Sequence, residues 1–432
     1  MACLVLLVGF AGTSWTGAAP PVEGRWIGAV SFRGDDWPVR LELRREGGAL
    51  KGYLDLPDLV MAWEPVPISE GPLSVTVELP FGIGELDLSP GKDGLAASKQ
   101  VGDETLSLIL TQDTGAWPAR EEVVFRNGDA ILTGTLVSPP SAGRHPAIVL
   151  VQGSGSATRE EWSYRSWADF YARHGVAALV YDRRGEGKST GDPGIDRDFD
   201  VLAGDALAGV RLLKGRPDVD PASIGLEGGS QGGWIAPLAA TTSSDVAFLV
   251  IASAPAVTPA EQEVERVVYH LRDDKAPESE ILDAVSYLRL YFYVARTGKG
   301  WNLLEDETET AKAAPWGEKV SHPRRLEDLQ WWKRHMDFDP AAILPKVSVP
   351  VLALYGSRDR YVPPVENAGK LEAYLRSGGN SDVTVRIFDE ADHRLEMPMG
   401  KWKDGRWHWA RIASLDTIGA WLAAHLPGLS GD

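Results

Sequence analysis

The 432-residue sequence is poor in cysteine and in positive charge, and both shortages exclude classes of protein. Cys3 is the only cysteine, so the chain can form neither an intramolecular disulfide nor a thiolate metal cluster. Lys and Arg number 44 against 61 Asp and Glu, which gives a formal net charge of −17. Such an acidic surface argues against nucleic acid or an anionic membrane as a partner. Among small-molecule substrates it favours neutral or cationic ones, and only weakly.

Long apolar runs are also missing. Beyond the first residues, no run approaches the roughly 20 apolar residues that a membrane-spanning helix requires. Residues 4–11 resemble the apolar core of a signal peptide, and residues 13–19 supply the small side chains that cleavage requires. The basic segment that usually precedes such a core is absent, since the first basic residue is Arg25. We expect residues 1–19 to be a signal peptide and the protein to be exported, periplasmic or extracellular. A start further upstream and an ordinary N-terminus are the alternatives.

The length exceeds that of one ordinary domain, and two domains are the natural expectation. The first, over residues 20–115, reads as short alternating strands separated by glycine turns, which predicts a small up-and-down β-barrel. It holds no histidine, no cysteine and no recognisable acid pair, so we place the chemistry elsewhere. Its role in substrate gating, dimerisation or polysaccharide binding stays open. The predicted strands cover residues 25–32, 39–44, 50–56, 73–79 and 105–110.

The most informative motif is Gly-x-Ser-x-Gly at residues 228–232, with Ser230 at its centre. It lies between a strand-like run at 223–227 and a helix-like run from residue 233, the setting of a nucleophile elbow. The tight turn holds the serine Oγ clear of the sheet, and glycines at positions 228 and 232 avoid collisions there. The following helix directs backbone N–H groups and a positive dipole end at the reacting centre. A glycine-rich turn with an incidental serine is the alternative reading.

Two later strand-like runs end in residues that can complete the chemistry of Ser230. The apolar run 349–356 opens into Asp359, and the run 383–388 leads into His393. Buried parallel strands end at one edge of their sheet, so the three side chains can converge there. A serine hydroxyl is a weak nucleophile, so His393 would take its proton while Asp359 orients the imidazole. The alternatives are a loop-capping role for Asp359 and a surface position for His393.

The other acids near His393 in sequence are Asp389, Glu390 and Asp392, which share its loop and would have to fold back on it. We therefore rank Asp359 above them. The remaining histidines fall mostly in presumed helices or the middle region, and we interpret them as ordinary. A triad of this kind requires neither metal nor cofactor, and we expect none.

An oxyanion hole should use the N–H of the residue after the nucleophile, Gln231, and a second donor from a loop after an early strand. A glycine-rich loop follows the apolar run 146–151, and we choose Ser154 as that donor. Gly153 or Gly155 could serve instead, and a merely flexible loop is the remaining alternative.

Five segments in this order resemble the α/β-hydrolases, and within them exported serine esterases with a small β domain ahead of the hydrolase domain. The resemblance implies a mostly parallel sheet flanked by helices and a carboxylic ester as substrate. Two departures leave the pocket shape open: Gln152 stands where the family commonly has histidine, and Gly229 and Gln231 stand where histidine and glutamate often flank the serine. The segments are 151–155, 181–189, 228–233, 356–363 and 391–393.

Within the hydrolase domain, placed at residues 116–432, an insertion of about 257–342 shows helical periodicity. Its position between two central strands predicts a cap over the C-terminal strand ends. Its tryptophans could line an acyl pocket, although internal packing is the more common role of aromatic residues in such a segment. They are Trp301, Trp316, Trp331 and Trp332.

We expect a carboxylic ester hydrolase that forms an acyl-enzyme on Ser230. A serine peptidase of the oligopeptidase kind uses the same triad, but the first domain is too short for a propeller and no amine-binding carboxylate pair can be placed. A non-catalytic binding protein on a hydrolase scaffold is disfavoured because all three triad types are present in order.

Overall fold

The computed structural model of the chain describes residues 22–429 apart from 72–73, 81, 92–93, 156–157, 193–197 and 427. The signal peptide predicted at residues 1–19 lies outside the described residues. None of the helices in the described part is long and apolar enough to cross a membrane. The described residues divide into two compact units, one formed by those up to 54 with 65–114, the other by those of 55–64 with 115–429.

Nine antiparallel strands form one sheet in the order β4-β3-β2-β1-β9-β8-β7-β6-β5, and all of it except the end of β3 and the start of β4 belongs to the first unit. Alternate side chains of the second strand, such as Trp37, Val39 and Leu41, are buried, as a half-buried strand requires. The sheet's two end strands are consecutive in the chain, and the sheet is nearly barrel-shaped. The predicted β architecture is confirmed. The strands are β1 (Gly24–Phe32), β2 (Asp35–Glu46), β3 (Ala49–Leu56), β4 (Met61–Val66), β5 (Ile68–Glu70), β6 (Val75–Leu79), β7 (Gly84–Pro90), β8 (Leu95–Val101) and β9 (Glu104–Gln112).

A mixed sheet of eight strands forms the centre of the second unit, in the order β10-β11-β13-β12-β14-β15-β16-β17. Six neighbouring strands run parallel, and β10 and β11 are antiparallel additions at one edge. The parallel strands, in their order across the sheet, are β13, β12, β14, β15, β16 and β17. Strand β16, which is second from the edge formed by β17, is buried along its whole length, which explains its continuous apolar run. The strands are β10 (Ala119–Asn127), β11 (Ala130–Ser138), β12 (His145–Val151), β13 (Ala177–Tyr181), β14 (Val219–Gly229), β15 (Phe248–Ala252), β16 (Val351–Gly356) and β17 (Val383–Phe388).

Helices cover both faces of this sheet. Side chains of α2, α3 and α8 share one hydrophobic core with the sheet, whereas α1 and α9 share the other. This layering confirms the predicted α/β-hydrolase fold. In chain order the helices are α1 (Trp162–Arg173), α2 (Phe199–Lys214), α3 (Gly232–Thr242), α4 (Pro259–Asp273), α5 (Glu278–Thr297), α6 (Trp301–Ala313), α7 (Gln330–His335), α8 (Pro364–Ser377) and α9 (Leu415–His425).

The helical insertion predicted between two central strands is present, because α4 to α7 all lie between β15 and β16 in the chain. Its first helix begins at a capping box, in which the Thr258 side chain accepts from the Glu261 backbone N–H and the Glu261 carboxylate accepts from the Thr258 backbone N–H. The insertion has a hydrophobic core of its own, which includes Trp316, Tyr287 and Tyr291. We call these four helices the cap.

Residues 55–64, which are the end of β3, the connection to β4 and the start of β4, group with the second unit. We call them the 55–64 segment. The Asp55 carboxylate pairs with Arg173 of α1, and Arg165 of α1 bonds the Glu64 carboxylate at 2.7 Å. Val60 is buried in the core formed by α1 and α9. Val60 has a φ of 46°, a left-handed conformation that a β-branched residue adopts only where its surroundings impose it.

Candidate active site

Ser230 stands on the tight turn between β14 and α3, at the C-terminal end of its strand. Its φ of 52° lies in the left-handed region, which is uncommon for a residue other than glycine. The turn is fixed by backbone bonds, since the Ser230 N–H donates to the Ala252 carbonyl at 2.9 Å and the Gly233 N–H donates to the Ser230 carbonyl at 2.8 Å. The geometry is that of a nucleophile elbow.

The two motif glycines are required by close backbone approach. A Cβ atom on Gly228 would lie 2.3 Å from the Gly232 carbonyl oxygen. A Cβ atom on Gly232 would lie 2.4 Å from the Val151 carbonyl oxygen. Both contacts are with backbone atoms that cannot move aside, so a side chain at either position would distort the turn that holds Ser230.

His393 and Asp359 meet at the same edge of the sheet. The His393 Nδ1 lies 2.8 Å from the Asp359 Oδ2. Asp359 is fully buried, and its Oδ1 accepts hydrogen bonds from the backbone N–H groups of Tyr361 at 2.8 Å and Val362 at 2.9 Å. These bonds fix the carboxylate, and the carboxylate in turn orients the His393 ring through its Nδ1. Ser230 and His393 line the same two cavities.

The acids in the His393 loop are engaged elsewhere. The Asp392 Oδ1 accepts from the backbone N–H groups of Arg394 and Glu396 at 2.9 and 3.0 Å, which closes the turn. Asp389 and Glu390 both pair with Lys403 on the surface. The geometry therefore favours Asp359 as the partner of His393.

Both residues chosen for the oxyanion hole lie beside Ser230 in the structure. Ser154 and Gln231 line one cavity together with Ser230. The Gly153 N–H donates to the Tyr164 hydroxyl at 3.0 Å, and the Gly153 carbonyl accepts from Arg183. Because Gly153 is held in this way, its N–H is a poorer donor to a substrate than that of Ser154. Gln152, in the position where the family commonly has histidine, donates to the Tyr181 carbonyl and thereby supports the same loop.

The smaller of the two cavities beside Ser230 has a volume of about 180 Å³, and we call it the α1 cavity because four of its lining residues come from α1. The 55–64 segment supplies another part of its wall with Leu59 and Val60. Apart from Ser230 and His393, the lining is mostly apolar. It includes Leu150, Val151, Trp162, Trp167, Ala252, Leu395 and Ile412.

The larger cavity, of about 540 Å³, reaches the cap, and we call it the cap cavity. Of the four cap tryptophans named above, Trp331 and Trp332 line it. Trp316 is buried in the core of the cap, and Trp301 packs against that core. The cap cavity is more polar than the α1 cavity, since Glu161 and the ion pair between Glu263 and Arg266 contribute to its wall.

Glu227 is the residue that sequence reasoning missed. It lies on β14 three residues before Ser230 and lines the α1 cavity. Burial raises the pKa of its carboxyl group to about 7, and the nearby Tyr171 hydroxyl offsets a smaller part of that rise. The only sequence signal was a charged residue near the end of an otherwise apolar strand.

A raised pKa makes Glu227 a source of pH-dependent instability. Between about pH 4.5 and pH 7 the folded protein holds a proton that the unfolded chain releases, so stability falls as the pH rises through this window. As the pH rises from 5 to 8, the natural protein should lose at most about 3 kcal/mol of its free energy of unfolding through this group. Glu227→Gln cannot ionise at this position and should not show that loss. Urea unfolding at the two pH values measures this, with Glu305→Gln on the exposed face of α6 as control. An equal pH dependence for both variants would contradict the expectation.

Comparison with known proteins gives one family match and several relatives. Residues 144–397 match the family described as serine aminopeptidase, S33. A polyketide transferase of Stachybotrys chlorohalonatus is 30% identical over 257 residues, which cover 58% of this chain and 84% of that protein. Esterase EstD of Thermotoga maritima is 26% identical over 278 residues, which cover 62% of this chain and 59% of the esterase.

A solved structure of an esterase from Pyrococcus furiosus aligns with a TM-score of 0.46 and 16% identity over 72% of this chain and 92% of that one. The family match covers more than half of the chain and contains Ser230, Asp359 and His393. The chain is therefore a hydrolase that belongs to the serine aminopeptidase S33 family of the α/β-hydrolases.

Proposed function

We propose that the protein is a carboxylic ester hydrolase that works through an acyl-enzyme on Ser230, with His393 as general base and acid and Asp359 as its orienting partner. The observation that carries the proposal is the Asp359–His393 contact of 2.8 Å beside a serine held at a φ of 52°. An incidental serine would have no reason to hold this strained conformation in a cavity that it shares with an imidazole oriented by a buried carboxylate.

In the proposed reaction the Ser230 Oγ attacks the ester carbonyl carbon while the His393 Nε2 accepts its proton. The His393 Nδ1 keeps its bond to Asp359, which stabilises the imidazolium. The backbone N–H groups of Gln231 and Ser154 would stabilise the oxyanion. Collapse of this intermediate breaks the bond to the alcohol, which leaves with the proton from His393. Water then attacks the acyl-enzyme by the same steps and releases the acid.

The two cavities suggest where the acyl part and the alcohol part of the substrate bind. The α1 cavity is small and apolar, which suits an acyl chain, whereas the larger and more polar cap cavity suits the alcohol. A second candidate function, acyl transfer to an acceptor other than water, is favoured by the similarity to a polyketide transferase. The cap cavity, at about 540 Å³, has room for such an acceptor.

A substrate panel tests the proposal. p-Nitrophenyl esters from acetate to palmitate are compared with a matched thioester and with aminoacyl anilides, by kcat/KM, and a fluorophosphonate probe reports whether an activated serine is present. We expect the esters to be the fastest class and Ser230 to carry the probe. Faster anilide cleavage would identify a peptidase, and a folded protein with neither turnover nor labelling would be a binding protein.

A further inference from the structure

The α1 cavity combines a mostly apolar wall with the carboxyl group of Glu227 and the guanidinium group of Arg394, and the carboxyl group has no use in the proposed ester chemistry. The triad already contains its acid, because His393 contacts Asp359. Glu227 approaches the cavity from β14, on the same face of the sheet as α1. A purely apolar acyl chain would be bound better by a leucine at this position, because burial of a carboxyl group is costly.

The Glu227 side chain is half-buried and lines the α1 cavity. Its Oε2 lies within the core, close to the Tyr171 hydroxyl, and is closed to the cavity. Tyr171 is itself buried and does not line the cavity, so a ligand would meet the part of the carboxyl group that Tyr171 does not cover. A carboxyl group on a mostly apolar wall is a strong hydrogen-bond acceptor, so a ligand that donates a hydrogen bond to it would bind more tightly than one that cannot.

The chemistry of the cavity favours a neutral hydroxyl group over an ammonium group as the hydrogen-bond donor to Glu227. An ammonium group would have to lose its hydration in a mostly apolar space with a single carboxyl group as compensation, and such buried ion pairs rarely recover the cost. A neutral hydroxyl loses much less on entering the cavity and still donates one hydrogen bond. Any chain that carries it gains from burial against Leu59, Trp167 and Leu395.

We propose that Glu227 binds a hydroxyl group on the acyl chain, so that the preferred substrates are esters of short hydroxy acids. This inference rests on the proposed ester hydrolysis at Ser230 and adds the class of acyl group to it. The volume of about 180 Å³ sets the length. A protein cavity of about 150 Å³ holds benzene, so the acyl group has about six carbon atoms or fewer.

The test compares matched pairs of p-nitrophenyl esters, butanoate with 3-hydroxybutanoate and hexanoate with 6-hydroxyhexanoate. The quantity measured is the ratio of kcat/KM for the hydroxylated ester to that for the plain ester. We expect this ratio to be about ten or more for at least one pair in the natural protein, the effect of one hydrogen bond to a carboxyl group on a mostly apolar wall. In Glu227→Met, which keeps the length of the side chain, the ratio should fall below one.

Glu161→Met is the matched control, because Glu161 is a carboxylate that lines the cap cavity and not the α1 cavity. Its ratio should equal that of the natural protein. A ratio near one for both pairs in the natural protein would overturn the proposal, whether or not the variants fold. Equal ratios in the natural protein and in Glu227→Met would also overturn it. A stronger preference for the 6-aminohexanoyl ester than for the 6-hydroxyhexanoyl ester would overturn the assignment of a hydroxyl.

These outcomes are separate from a failure of the proposed function. If the protein hydrolyses plain esters and Ser230 reacts with a fluorophosphonate, but the hydroxyl preference is absent, only the assignment of Glu227 fails. If no ester is hydrolysed and no serine is labelled in the folded protein, the ester hydrolase proposal fails first.

Discussion

Ser230→Ala is expected to lower kcat for ester hydrolysis by at least about 10⁴-fold while the protein remains folded, because the acyl-enzyme route requires the serine oxygen. What remains would be the effect of the oxyanion donors and of substrate binding alone. Alanine fits the turn sterically almost as well as serine does, so circular dichroism and Tm should change little. Initial rates with p-nitrophenyl butanoate measure the loss.

Ser163→Ala is the control for this experiment. Ser163 lines both cavities, as Ser230 does, but it lies on α1 and its hydroxyl bonds the Glu161 carboxylate at 2.9 Å. We expect this variant to keep most of its activity and to be labelled by a fluorophosphonate at Ser230. A label on Ser163 or on any other serine of the natural protein would refute the assignment, and so would undiminished turnover by Ser230→Ala.

Asp359→Asn should lower kcat by about 10⁴-fold, since an amide donor beside the His393 Nδ1 favours the wrong tautomer of the imidazole. The Asp359 Oδ1 accepts two backbone N–H groups, and an asparagine oxygen can accept both. The loop geometry should therefore survive, so the loss would appear in kcat and not in folding. Steady-state kinetics with Tm as a check on folding measure both quantities.

Asp392→Asn is the matched substitution in the histidine loop. The Asp392 Oδ1 also accepts two backbone N–H groups, from Arg394 and Glu396, but the His393 Nδ1 is bonded to Asp359. We expect a far smaller effect on kcat than for Asp359→Asn. The reverse ranking would move the acid of the triad into the histidine loop.

Much of the hydrolase fold could be predicted because its central strands are buried on both faces. Strands such as β16 are continuous apolar runs, and their ends are followed by the polar residues that carry the chemistry. The elbow was predictable for a related reason, since only glycine fits at positions 228 and 232. The predicted pairing of Asp359 with His393 followed from the rule that parallel strands end at one edge of the sheet.

The β unit was harder to predict in full. Five of its strands alternate strongly enough to be recognised, but β8 mixes Ala, Ser, Lys and Gln, and β5 has only three residues. Periodicity cannot identify strands that are so short or so weakly patterned. Glu227 was missed for a different reason, because a charged residue in an apolar run looks like the end of a strand until the cavity beside it is known.

Because of the 55–64 segment, the residues that the family match covers do not include the whole wall of the α1 cavity. The match begins at residue 144, whereas Leu59 and Val60 form part of the wall of the α1 cavity. A chain trimmed to the matched residues would keep Ser230, Asp359 and His393 but would lack the piece of wall that limits acyl length. Substrate preferences measured on such a trimmed chain, or transferred from relatives aligned over that region alone, would describe a more open enzyme than the natural one.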